Sequence, residues 1–112
     1  MATLEQLGRE SWLEFLEAPR AVLIVGKSDC ASCKAWAAEL SAWLEGDEAI
    51  GDVRYGKLDL DQPGLVDFKR AHPWVSSLDS LPHTSIWTGG EKRKEWLGGG
   101  VARMVSRLSA LG

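Results

Sequence analysis

Five apolar residues in succession, Ala21-Val22-Leu23-Ile24-Val25, set the strongest constraint on how this chain folds. A half-exposed strand alternates apolar and polar residues. An unbroken apolar run of this length reads as a strand covered on both faces. Such a strand needs a helical layer on each side of its sheet. The next residues supply part of one. Gly26 to Asp29 form a short loop, and a helix is expected from about Cys30 to Glu45. Its residues Cys33, Ala37, Leu40 and Leu44 fall on one stripe at helical spacing. Trp36 and Trp43 widen the stripe, and Gly46-Asp47 closes the helix.

The remaining elements follow from the same patterns. Thr3 with Gln6 reads as a capping box that opens a helix to about Glu17, with Leu4, Leu7, Trp12, Phe15 and Leu16 on its apolar side. Pro19 ends it. Val53 to Leu60 reads as a second strand, Asp61-Gln62-Pro63-Gly64 as a turn, and Leu65 to about Ala71 as a short helix. His72 to Leu81 is an irregular connection. Thr84 to Thr88 and Lys92 to Leu97 read as strands joined at the Gly89-Gly90 hairpin turn. After Gly98-Gly99-Gly100, the residues Val101, Met104, Val105, Leu108 and Leu111 mark a last helix. The expected order is αβαβαββα: an α/β fold with a four-stranded mixed sheet and helices on both faces.

At 112 residues the chain reads as one domain, residues 1–112. Hydrophobic residues at 45% and charged residues at 26% support a packed core rather than disorder. The net charge of -3 gives no general attraction to nucleic-acid phosphate, and Lys92-Arg93-Lys94, flanked by Glu91 and Glu95, reads as a solvated hairpin. Met1 to Arg20 carries acids and no long apolar run, and Ala21 to Val25 is too short to span a bilayer. A cytoplasmic chain with neither a nucleic-acid nor a membrane partner is the expectation. Gly98-Gly99-Gly100 lacks the lysine and spacing of a phosphate loop and reads as a linker.

The chain has two cysteines, Cys30 and Cys33, in the run Cys30-Ala31-Ser32-Cys33. Two are too few for a disulfide framework. In a reducing compartment such a pair is redox-active or metal-binding. Cys30 opens the helix, where unpaired N–H groups and the positive end of the helix dipole stabilise a thiolate and lower its pKa. Cys33, one turn later on the same face, is expected to be covered. Cys30 is therefore the expected nucleophile on a disulfide, and Cys33 the thiol that resolves the mixed disulfide. Two alternatives remain: a zinc site completed by His72 and His83, and an inert buried pair.

Beyond the cysteines, Lys57-Leu58-Asp59-Leu60-Asp61-Gln62-Pro63-Gly64, Leu81-Pro82-His83-Thr84 and Ile86-Trp87-Thr88-Gly89-Gly90-Glu91 occur in the order of a known pattern. From about Ala21 onward the chain resembles the thioredoxin family. The resemblance implies a thioredoxin-like fold, a redox-active Cys30–Cys33 disulfide with no further cofactor, and a cis Leu81–Pro82 peptide near Cys30. It also implies that the backbone around Leu81 and Pro82 pairs with substrate like an added strand. Disulfide-containing proteins would be the substrates, and a partner such as thioredoxin reductase would recharge the pair, in cell redox homeostasis and electron transport. A redox-inert binding module on the same scaffold is the alternative, together with the metal site.

The chain departs from the family's pattern in four places. Asp29 replaces the usual Trp before the first cysteine; its charge opposes thiolate formation unless it caps the helix, and Lys27 and Lys34 would offset it. Ala31-Ser32 replaces Gly-Pro. Ile24 stands where the family has a buried acid, while Lys57, that acid's usual partner, persists beneath Cys33; Asp59, Glu39 or water would have to substitute. The first edge strand is expected to be missing, because Met1 to Thr3 is too short. The connection His72 to Leu81 is longer than in the family. Trp74 and Val75 would then contact substrate, or Trp74 would pack on the sheet. His72 reads as a loop histidine, and His83 is placed to act on the thiols electrostatically.

Overall fold

The computed structural model describes residues 3–111; Met1, Ala2 and Gly112, which the expectations for the first segment and for the whole domain include, lie outside the described residues. Five strands form one sheet: β1 (Leu4–Gln6), β2 (Ala21–Gly26), β3 (Arg54–Asp59), β4 (His83–Thr88) and β5 (Glu91–Leu97), in the spatial order β1-β3-β2-β4-β5. The helices are α1 (Trp12–Leu16), α2 (Ala31–Leu44), α3 (Val66–Ala71) and α4 (Val101–Ala110), with a 3-10 turn at Pro73–Ser77. β1 and β2 run parallel to β3, while β4 runs antiparallel to both β2 and β5.

The apolar run behaves as expected. Every residue of β2 is buried. Leu23 and Val25 pack with Trp12, Phe15 and Phe68 under α1 and α3, and Val22 and Ile24 pack with Trp36, Leu40, Met104 and Leu108 under α2 and α4. On β3, Gly56 makes room for the first of these layers. A Cβ there would come within 2.8 Å of both Leu7 and Phe15.

The first segment corrects the expectation. Leu4–Gln6 is not the start of a helix but an edge strand, so the sheet has five strands, not four. Leu4 pairs with Tyr55 and packs on the α2–α4 side, whereas Leu7 joins the opposite core. Two leucines three apart thus serve two faces, which a helical stripe cannot do. Gly8 breaks the chain, its N–H bonded to Ser11 Oγ at 2.9 Å, and the helix begins only at Trp12. Arg54 fastens the edge: it bonds both oxygens of Glu5, at 2.9 and 2.7 Å, and Glu14 at 2.7 Å. Among the described residues, no helix is long and apolar enough to cross a membrane.

Candidate functional site

The two cysteines lie where β2 hands over to α2. The chain leaves the sheet at Gly26, turns through Lys27–Asp29, and enters α2 with Cys30 as its N-cap. Asp29 is exposed and does not cap the helix; the Cys30 sulfur does, accepting the Cys33 N–H at 3.2 Å. Cys30 and Cys33 form a disulfide, with their Cα atoms 5.2 Å apart. Cys33 is fully buried, as expected, whereas Cys30, expected to be exposed, is half-buried.

Gly26 is what admits Cys33. A Cβ at Gly26 would lie 2.9 Å from Cys33 Sγ and 3.7 Å from Lys57 Cε. Cys33 therefore rests on the sheet beside Lys57. Ile24 is the cross-strand partner of Lys57, fully buried, and brings no carboxylate. The buried Lys57 ammonium instead pairs with Asp59 Oδ1 at 3.2 Å, on the same face of β3 and level with Gly26. Glu39 is engaged elsewhere, accepting the Val101 N–H at the start of α4 at 3.0 Å.

Opposite Cys30 runs the segment before β4. Leu81–Pro82 is a cis peptide. Ser32 in the first turn of α2 bridges the two elements, its hydroxyl 3.2 Å from the Leu81 carbonyl oxygen and 3.5 Å from Cys30 Sγ. Deeper in, Trp36 Nε1 donates to Thr84 Oγ1 at 3.1 Å, and Thr84 Oγ1 donates to the Gly98 carbonyl at 2.8 Å, which pins α2 to β4.

A cavity of about 580 Å³ opens beside Cys30. Leu60, Val75, Leu78 and Leu81 give it apolar walls, and Lys27, Lys69, Asp61 and Asp79 give it charges of both signs. Ser28 holds Asp61 through its backbone N–H at 3.1 Å and through its hydroxyl, and these bonds keep the Asp61 carboxyl below its ordinary pKa. Asp61, Lys69, Ser76, Leu78 and Asp79 were not singled out by the sequence. Only the unusual length of the connection after His72 hinted at this wall.

Val75 lines the cavity but Trp74 does not. Trp74 packs on His83, ring centroids 4.9 Å apart, under the Lys92 ammonium at 3.7 Å. His83, nearly fully buried, faces away from Cys33 and bonds Glu95 Oε1 at 3.1 Å. His72 sits among Trp12, Phe68, Trp74 and Trp87, with ring centroids between 5.1 and 6.3 Å. Neither histidine is placed with the cysteines. Among the described residues, no group of three or more His, Cys, Asp or Glu side chains could hold a metal ion.

Burial lowers the pKa of both histidines. Lys92 adds to this at each, and Glu95 opposes it only at His83. An unfolded histidine takes up a proton as the pH falls through about 6.5. These buried ones resist it, so the stability they lend is present above that pH and lost below it. Urea midpoints should therefore fall from about pH 7.5 to about pH 5. His72→Phe, which keeps an aromatic ring among its neighbours, should make the fall shallower. An unchanged pH slope in that variant would mean that His72 does not contribute.

No family model and no curated protein sequence matches the chain. Solved structures do. The short form of spinach chloroplast thioredoxin f aligns over 97% of this chain and 93% of its own, with a TM-score of 0.75 at 20% identity. The chain has the thioredoxin fold. Thioredoxin O2 from Arabidopsis thaliana, in its oxidised state, shares that fold over 98% of this chain and 95% of its own, with a TM-score of 0.73 at 19% identity. Thioredoxin f2, solved in complex with ferredoxin:thioredoxin reductase, shares it over 97% and 94%, with a TM-score of 0.72 at 16% identity. The likeness is one of fold. The chemistry rests on the placement of this chain's own Cys30 and Cys33 on the thioredoxin fold.

Proposed function

We propose that the chain is a thiol–disulfide oxidoreductase that reduces protein disulfides. One observation carries this reading: a Cys30–Cys33 pair at the start of α2, with Cys30 half-buried beside a cavity and Cys33 covered. In the reduced form, free N–H groups at the helix start favour a Cys30 thiolate. That thiolate attacks one sulfur of a substrate disulfide, and the other sulfur leaves as a thiolate and takes a proton from water. Cys33 then loses its proton and attacks Cys30 Sγ. The Cys30–Cys33 bond forms, and the substrate departs as a dithiol. Asp59, paired with Lys57 beside Cys33, is the carboxylate offered to the covered thiol. A dithiol reductase returns two electrons. The complex of thioredoxin f2 with its reductase is the model for that partner. We propose that the chain serves electron transport and cell redox homeostasis in the cytoplasm.

Two measurements test the reading. Insulin-disulfide reduction with dithiothreitol as recharging agent should exceed the rate with dithiothreitol alone, in a sample whose metal content is also measured. A rate equal to that background would leave a binding module, or with stoichiometric zinc a metal site. Alkylation of the reduced protein at limiting reagent, mapped by mass spectrometry, should label Cys30 first. Preferential labelling of Cys33 would reverse the assigned roles.

A further inference from the structure

The Ser32 hydroxyl has one proton and two acceptors within reach: the Leu81 carbonyl oxygen at 3.2 Å and Cys30 Sγ at 3.5 Å. It cannot serve both fully. Which one it serves depends on the state of the sulfur. In the disulfide, sulfur is a weak acceptor and the carbonyl oxygen wins. In a thiolate, the sulfur carries the charge, and hydrogen bonds to ions are roughly twice as strong as neutral ones. Leu81 also lines the cavity beside Cys30, so a substrate chain that enters the cavity meets the segment before β4. Two chain segments lying side by side there would pair through such backbone groups.

We propose that Ser32 is a positioning residue that couples the redox state of Cys30 to the backbone acceptor at Leu81. In the oxidised protein the hydroxyl holds one lone pair of the Leu81 carbonyl oxygen, and a product chain is left a weaker, partly satisfied acceptor. Reduction by a dithiol delivers two electrons: the Cys30–Cys33 bond breaks, the reductant closes its own disulfide, Cys33 keeps one proton, and the second is released to solvent as Cys30 becomes a thiolate. The hydroxyl then turns to the thiolate, and the Leu81 carbonyl is freed for substrate. The reduced form thus holds substrate chains more firmly than the oxidised form, and each turnover loosens its own product. The Trp36–Thr84–Gly98 bonds hold α2 and β4 at a fixed separation, so a rotation about one side-chain bond suffices.

The inference rests on the proposed exchange chemistry, and its test separates the two. In labelled protein, the carbonyl carbon of Leu81 should shift upfield on reduction, as it loses its hydrogen-bond donor. In Ser32→Ala the same carbon should already sit upfield and move little between the two states. Ser32→Thr, which keeps a hydroxyl, should restore the wild-type response. The thiolate absorbance titration of Cys30 should move up by about one pH unit in Ser32→Ala, about tenfold in proton affinity, and back in Ser32→Thr. Ser32 is exposed and alanine is a stronger helix former, so the fold should persist. A Leu81 carbon that responds alike in wild type and Ser32→Ala would overturn the coupling, even if insulin reduction is intact. Loss of insulin reduction with an intact carbonyl response would instead overturn the exchange reading and leave the coupling standing.

Discussion

Cys33→Ser should convert the protein from a catalyst into a trap. Cys30 remains half-buried at the helix start, so it still opens a substrate disulfide. The group that would displace the bound substrate chain is then a hydroxyl, which does not ionise near neutral pH and makes no stable bond to sulfur. Incubation with oxidised insulin should yield one mixed disulfide per protein molecule, visible as a mass increase that a reductant reverses, with no turnover. Cys30→Ser should give neither the adduct nor any rate above the background reductant. The thiolate, not the hydroxyl, is the nucleophile in this exchange, and Cys33 is fully buried. Equal trapping by both variants would show that the difference in burial does not set the order of attack.

Ile24→Asp should speed the second step and cost stability. Cys33 must lose a proton before it attacks Cys30, and its burial works against the thiolate. The carboxylate on this face is Asp59, which reaches Lys57 from the end of β3. A carboxylate at residue 24 would stand directly across from Lys57, on the strand that leads to the cysteines. A well-placed general base contributes on the order of a hundredfold or more, and Asp59 already covers part of that, so the gain expected is about tenfold in mixed-disulfide decay. The loss follows from a second charge sharing one ammonium in a core that now holds Ile24, and about 3 kcal/mol is expected in urea unfolding. Rapid mixing from roughly pH 6 to about pH 9 gives the rates. Asp59→Asn is the converse and should slow the decay. If Ile24→Asp is no faster at any pH while Asp59→Asn is slow, Asp59 alone already meets the need of Cys33.

The features legible in the sequence were those written into a local pattern. β2 was an unbroken apolar run, the β4–β5 hairpin carried Gly89-Gly90, and Cys30 and Cys33 marked the start of α2. The likeness to a known family added the cis peptide before Pro82. β1 was hidden because Leu4 and Leu7 lie at a helical spacing; only the presence of β3 beside them makes a strand better. The cavity wall was hidden for a similar reason. Asp61, Lys69 and Leu78 lie on three successive segments, a turn, α3 and the loop after the 3-10 turn, and each reads alone as an ordinary loop or helix residue. Ser32 was noted as a departure from a pattern. Its contact with Leu81, 49 residues away, exists only once α2 is laid against β4. Trp74 and His83 each read as a candidate neighbour of the cysteine site, yet they pack on each other on the far side of the sheet.

The short β1 has a consequence for how molecules of this protein meet one another. β5 ends the sheet on one side with an unbroken run of charged residues, Glu91-Lys92-Arg93-Lys94-Glu95, a border that discourages another strand. β3 has no such guard. Tyr55, Gly56 and Leu58 are buried there, and an uncovered β3 would offer a bare ladder of amide and carbonyl groups for a neighbouring molecule to extend. Three residues of β1 cover that ladder, fastened from the side by Arg54 to Glu5 and Glu14. Salt weakens such half-exposed pairs. The risk of strand-to-strand aggregation in this protein is thus tied to ionic strength through a single arginine, at the edge of the sheet farthest from β5.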